Sequence, residues 1–302
     1  MRLLITGGTG FVGRRLVERA LAAGHEPMVV SRDPERARSR LPEGVKIAAS
    51  ATALAEARPQ AIVNLAGEPI ADRRWSEAQK ARLIASRCDT TRDVVELCRQ
   101  LDAVGAAPGV LVSGSAMGFY GDQGERDVTE ETPPHEEFAH QLCQRWESEA
   151  QKAEAYGVRV ARLRIGLVLD AGGGTLAKML PAFRLGLGGR LGDGRQYMPW
   201  VHREDLVGML LFLLERDDLG GAFNGSAPNP VTNAEFTRAL GRHLHRPTRL
   251  CVPAPLLKFG LGEMSRLLLT GARMRPARLQ DAGFTFRYAT LDEALAAIFA
   301  QR

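Results

Sequence analysis

One stretch at the start of the chain constrains the fold more than any other. Leu3-Leu4-Ile5-Thr6 is a short apolar run of β type, and it leads into Gly7-Gly8-Thr9-Gly10-Phe11-Val12-Gly13. Behind it, Val12, Leu16, Val17, Ala20 and Leu21 recur at helical spacing, and Gly24-His25 stops the helix. The pattern is strand, glycine-rich turn, helix. In that frame Gly7 permits the tight turn, Gly10 lets backbone approach a pyrophosphate, and Gly13 lets the helix pack closely on the strand. The helix N-terminus presents free N–H groups and the positive end of its dipole to phosphate. Glycine turns are common, so the spacing alone is weak. The flanking helix and a second strand over residues 27–31 turn it into an expectation of dinucleotide binding by Gly7, Thr9, Gly10, Phe11, Val12 and Gly13.

The tip of the second strand selects the dinucleotide. An acidic residue there would hold a ribose 2′-hydroxyl, whereas an arginine accommodates a 2′-phosphate. This chain has Val30-Ser31-Arg32, and Asp33 precedes Pro34, as a residue starting the next turn or helix would. Arg32 can make bidentate contacts to phosphate and Ser31 can add a hydroxyl. The expected cofactor is therefore NADP(H). Arg36 could add to the local field, while Arg38 and Arg40 read as a solvated helix face.

Further strands are expected over 45–49, 61–67, 109–115 and 158–169, separated by helices over 77–100 and 136–156. Strands alternating with helices predict an α/β, Rossmann-type, doubly wound parallel sheet. Ligands of such sheets bind at the carboxyl ends of the strands. Asn64, Ala66 and Gly67 lie at one such end and join the expected cofactor contacts; Ser113 to Ser115 lie at another. The expected division is a nucleotide-binding domain over 1–224 and a small C-terminal subdomain over 225–302. The glycine-rich residues 170–200 would help wall the substrate cleft, with Arg184, Arg190 and Arg195 able to meet an anion. Asp205 reads as the cap of a helix ending near Leu214, and Thr232 with Glu235 as a capping box.

Composition removes several function classes. In 302 residues, 45% are hydrophobic and 25% charged, which is ordinary for a globular chain. The longest apolar run, 206–214, falls far short of the ~20 residues of a membrane helix. Four cysteines at 88, 98, 143 and 251 have no metal spacing and fit reduced thiols in the cytoplasm. The +5 charge comes from scattered arginines without a nucleic-acid motif. The expected partner is a small-molecule substrate, with no nucleic acid and no membrane.

Beyond the opening turn, Asn64-Leu65-Ala66-Gly67 and Ser113-Gly114-Ser115 resemble the extended or atypical short-chain dehydrogenases. More specific marks follow: Ala66-Gly67-Glu68-Pro69-Ile70, Arg74-Trp75, Ser86-Arg87 and Phe119-Tyr120-Gly121-Asp122. Later come Leu142-Cys143 with Trp146-Glu147, then Trp200-Val201-His202, and Ala282-Gly283-Phe284 with Phe286-Arg287-Tyr288. The whole chain is similar to the YfcH-like family of NAD(P)-dependent epimerase-related proteins, which carry a C-terminal domain of unknown function. That resemblance implies fold and cofactor, and leaves the substrate open.

Short-chain dehydrogenases generally use a Tyr-x-x-x-Lys pair. Here the four tyrosines are followed at the fourth position by Gly124, Val160, Val201 and Asp292. No such pair exists, and Cys143 and Ala139 stand in register where the lysine and tyrosine would be. The remaining catalytic candidates are Ser115, which could hydrogen-bond a substrate carbonyl, and Tyr120, a phenol able to act as acid or base. His140, Cys143 and Glu147 share one helix face, and Glu68 could face the site. The expected function is an NADP(H)-dependent oxidoreductase or epimerase-type enzyme. The alternatives are a non-catalytic NADP(H) sensor or scaffold and a nucleotide-sugar epimerase.

Overall fold

The computed structural model describes residues 1–300. Seven parallel strands form its centre. β1 (Arg2–Thr6), β2 (Glu26–Val30), β3 (Lys46–Ala48), β4 (Ala61–Asn64) and β5 (Val110–Ala116) are joined by the strands Arg159–Ile165 and Gly221–Gly225. The spatial order runs Gly221–Gly225, Arg159–Ile165, β5, β4, β1, β2, β3. The order in which strands are added therefore reverses between β1 and β4, which is where such sheets open a ligand crevice. Strands covered on both faces read as unbroken apolar runs rather than alternations. In β1, Leu3 and Ile5 enter one apolar cluster and Leu4 the opposite one. The first is closed by α1 (Phe11–Ala22) and, later in the chain, Arg203–Glu215; the second by residues of Glu77–Asp102 and Val158–Val160.

The segment over 158–169 is two strands rather than one. It leaves the central sheet after Ile165, and Leu167–Asp170 pairs instead with Trp200–His202. Gly166 makes the switch possible, because a Cβ there would lie 2.6 Å from the Pro199 carbonyl oxygen. Residues of 167–200 then share an apolar cluster, including Leu176, Phe183 and Trp200, with Phe236, Leu240, Leu291 and Leu295. This second layer is thus assembled from two separated stretches of chain.

The helix Arg203–Glu215 is capped by His202, whose Nδ1 accepts the Glu204 N–H at 3.1 Å. Asp205 sits one turn inside, so the cap expected from sequence is corrected. Its buried carboxylate accepts the backbone N–H groups of Arg287 and Tyr288 and ties the C-terminal segment to the helix. The Thr232–Glu235 capping box forms as the sequence indicated.

His202 carries a pH prediction. Its ring is 2% exposed and packs on Tyr288 at a centroid distance of 4.0 Å. Burial pushes its pKa down to about 4. The unfolded chain takes up this proton near pH 6.5, while the folded chain refuses it until about pH 4. The contribution of neutral His202 is therefore whole above about pH 6.5 and is lost as pH falls toward 4, by up to about 3 kcal/mol. His202→Asn retains a capping acceptor and cannot titrate. The difference in Tm between wild type and this variant should shift in favour of the variant across that window.

Candidate functional site

The carboxyl ends of β1, β2 and β4 open onto a cleft of about 760 Å³. Its floor is the glycine turn. Gly7 has φ +69°, and a Cβ on it would lie 2.8 Å from the Leu65 carbonyl. At Gly13 a Cβ would approach the Gly7 carbonyl oxygen to 2.2 Å, so only glycine lets α1 sit this close. No side chain caps the start of α1 at Gly10, and its first turn carries no acid. Those N–H groups remain directed at the cleft, as a pyrophosphate site requires.

Of the expected cofactor contacts, Gly7, Thr9, Gly10, Ser31, Arg32, Ala66 and Gly67 line the cleft. Four do not. Gly13 acts through packing, and Val12 packs against the core beneath the sheet. Phe11 faces the other way, where Cβ atoms on Gly173 and Gly174 would strike its ring and the Arg203 guanidinium lies 5.1 Å above it. Asn64 is fully buried and spent on its neighbours. Its Oδ1 accepts the Thr6 hydroxyl at 2.6 Å, and its Nδ2 donates to Thr91 Oγ1 at 2.8 Å. The same Thr6 hydroxyl oxygen accepts the Ala66 N–H at 3.1 Å. Asn64 therefore fixes the strand tips against each other and carries Ala66 into position.

The tip of β2 is cationic. Arg32, Arg36 and Arg40 all line the cleft, and none has a carboxylate within ion-pair distance among the described residues. Arg40 was expected on a solvated face; the turn after α2 (Pro34–Arg38) swings it back to the cleft instead. Arg38 keeps to the outer face, 3.7 Å from Glu35. Asp33 does not compete for a ribose, since its Oδ1 accepts the Arg36 N–H and caps α2. The Ser31 hydroxyl is engaged with the Asp33 backbone, donating to its carbonyl at 3.1 Å. The opposite wall comes from α3 (Glu77–Asp102) through Ser86, part of the Ser86-Arg87 mark, and through Arg82, Asp89 and Asp93, which no motif in the sequence singles out. Glu68 is at the rim, accepting from Gln79 at 3.0 Å.

The two catalytic candidates lie in a polar chain beneath β5. The Ser115 hydroxyl donates to Glu147 Oε1 at 2.7 Å. Glu147 comes from α4 (Phe138–Gln151) and is held bidentately by Arg164, at 2.9 and 3.1 Å, with Arg162 at 3.3 Å. Arg164 Nη1 donates to the Tyr120 hydroxyl at 2.9 Å, which in turn donates to Asn224 Oδ1 at 2.6 Å. Tyr120 is fully buried, and burial pushes its pKa up to about 12. The expectation of a Tyr120 acid–base group is corrected by this geometry, because its proton and its accessible lone pair are both engaged. Ser115, 2% exposed, donates its one hydroxyl hydrogen bond to Glu147, so it cannot also donate to a carbonyl as placed.

Cys143 is inert in this setting. Burial and then Glu147 push its thiol up to about 11. His140 is buried against the turn after β5, with Nδ1 2.7 Å from the Phe119 carbonyl oxygen. A carbonyl only accepts, so Nδ1 carries a proton and donates it to this bond. No protein group among the described residues bonds Nε2.

This arrangement has known counterparts. Residues 3–224 match the NAD dependent epimerase/dehydratase family, and residues 252–298 match DUF1731, a domain of unknown function. An epimerase family protein SDR39U1 homolog, chloroplastic, of Arabidopsis thaliana is 40% identical over 99% of this chain and 86% of its own length. An epimerase family protein of Mycobacterium bovis is 40% identical over 96% and 95%. The crystal structure of human epimerase family protein SDR39U1 (isoform 2) with NADPH superposes with a TM-score of 0.89, at 32% identity and full coverage of both chains. By length and identity of match, this chain belongs to the NAD dependent epimerase/dehydratase family.

Proposed function

We propose that this chain is an NADP(H)-dependent oxidoreductase or epimerase-type enzyme acting on a small carbonyl or alcohol substrate. The observation that carries the cofactor choice is the trio Arg32, Arg36 and Arg40 at the β2 tip, facing the cleft and unpaired with acids among the described residues. The human relative of known structure, solved with NADPH, supports it. Gly7, Thr9 and Gly10 would hold the pyrophosphate, Arg32 the 2′-phosphate, and Ala66 with Gly67 the side of the adenosine half toward β4. A nicotinamide bound there would supply or receive a hydride. The matching proton needs another carrier, and His140, with its uncommitted Nε2, suits that role better than Tyr120.

A second reading is favoured by one observation, the missing Tyr-x-x-x-Lys pair, and makes the chain a sensor whose conformation reports NADP(H). A single experiment separates the two. The NADPH complex is mixed with a panel of aldehydes, enones and nucleotide sugars, and nicotinamide absorbance is followed. Oxidation of bound NADPH by any member supports the enzyme. Saturable NADPH binding with no oxidation across the panel supports the sensor.

A further inference from the structure

We propose that the face formed by residues 184–190, residues 246–250 and the helix Ala254–Leu261 docks on an anionic lipid bilayer. That helix reads Ala-Pro-Leu-Leu-Lys-Phe-Gly-Leu, and none of its residues is buried. Leu256 is 60% exposed and Phe259 86%. Three residues apart, they stand on one side of the helix. The ribbon beside them is contiguous, because Gly189–Leu191 pairs with Leu250–Val252, and Pro253 leads directly into the helix. It adds Leu185, Leu187 and Leu250 to the exposed apolar set. Single exposed apolar side chains are ordinary on soluble proteins; a contiguous group marks a contact surface.

The charge around this group identifies the partner. No Asp or Glu occurs over 171–192 or over 236–262. Arg184, Arg190, Arg246, Arg249 and Lys258 are exposed there. None lies within ion-pair distance of a carboxylate among the described residues, whereas Arg195 meets Glu125 and Arg242 meets Asp292. Arg246 Nε donates to the Arg184 carbonyl at 2.8 Å, which holds the two basic segments side by side. Apolar side chains within a predominantly cationic rim, bordered by exposed Asp193 and by Glu263, which pairs with Lys80, combine the two signals of stable peripheral binding: insertion at the acyl boundary and attraction to anionic headgroups. A second copy of this chain would set the same cations against each other across a two-fold contact. A nucleic acid would satisfy the charges and leave Leu256 and Phe259 in water. No helix among the described residues is long and apolar enough to cross a membrane, but surface docking requires none.

The test is sedimentation of the full chain with vesicles of phosphatidylcholine alone and of phosphatidylcholine with phosphatidylglycerol. Wild type should bind the mixed vesicles and not the neutral ones. Leu256→Ser with Phe259→Ser leaves net charge unchanged and should weaken that binding roughly tenfold or more. Arg246→Ala and Arg249→Ala should each weaken it about fivefold. Unchanged Tm in each variant shows that the fold is intact, as expected for exposed positions. Three results overturn the proposal: no binding of wild type to mixed vesicles, equal binding to both vesicle types, or full binding by the doubly substituted Ser variant. So does self-association of the free chain that the same two Ser substitutions abolish, since the face would then be an interface between copies.

Discussion

Replacing Arg32 by Ala should lower NADPH affinity by roughly 10–100-fold and leave NADH affinity within about twofold of wild type. The asymmetry follows from where Arg32 stands. It extends from the first residues after β2 into the cleft and has no carboxylate partner among the described residues. Its charge is therefore available to a dianionic 2′-phosphate, and a charge-assisted, bidentate contact is worth about 1.5–3 kcal/mol. NADH presents a hydroxyl there and loses almost nothing. Arg36 and Arg40 line the same end of the cleft and should contribute less each, through the field rather than a fixed fork. Raised salt should compress the difference between wild type and variant, because all three guanidinium groups are solvent-exposed. The measurement is a fluorescence titration with each nucleotide at two ionic strengths. Equal losses for NADPH and NADH would remove the 2′-phosphate from the site.

The parts of this molecule governed by local rules were legible in the chain. Gly7 and Gly13 announce the turn because a Cβ at either would strike backbone within a few residues or on the adjoining strand tip, and Gly10 leaves a Cβ only a tight 3.1 Å approach to the Gly7 carbonyl oxygen. The parallel sheet was legible because strands buried on both faces show as continuous apolar runs. What escaped the sequence depends on contacts far apart in it. Asn64 looks like a ligand contact at a strand end. Its real partners, Thr6 and Thr91, are 58 and 27 residues away, and only the β1–β4 register brings the first of them alongside. Tyr120 looked free to act because Arg164 and Asn224, which enclose its hydroxyl, come from two later strands. Arg40 was assigned to a solvated face by helical spacing, but α2 ends at Arg38 and the spacing no longer applies beyond it. Of the cleft wall contributed by α3, Ser86 belongs to a family mark, but Arg82, Asp89 and Asp93 are ordinary helix residues until the fold places them opposite Arg32.

The same long-range network sets the largest stability effect expected of a single substitution. Glu147→Gln should lower stability by about 3–5 kcal/mol, because it leaves the Arg164 guanidinium buried without its counter-ion. Arg164 is 4% exposed and donates two of its hydrogen bonds to this one carboxylate. Its remaining contacts, the Tyr120 hydroxyl, the Glu130 carbonyl and the Phe119 ring at 3.4 Å, are not ionised and cannot replace the lost charge. At about 2–4 °C per kcal/mol, the fall in Tm should be on the order of 10 °C. Removing both ions is a different experiment. The double variant Glu147→Leu with Arg164→Met takes away the stranded charge along with its partner, and apolar replacements of a buried pair are often neutral or stabilising. The double variant should therefore recover much of the loss, less the cost of leaving Ser115, Tyr120 and Arg162 short of a bond. A double-mutant cycle by thermal unfolding measures the coupling directly. If Glu147→Gln melts within about 2 °C of wild type, the pair is not carrying the charge balance assigned to it here. Should the Gln variant be destabilised and the double variant fall just as far, the loss would belong to the hydrogen bonds of Ser115 and Tyr120 and not to an uncompensated ion.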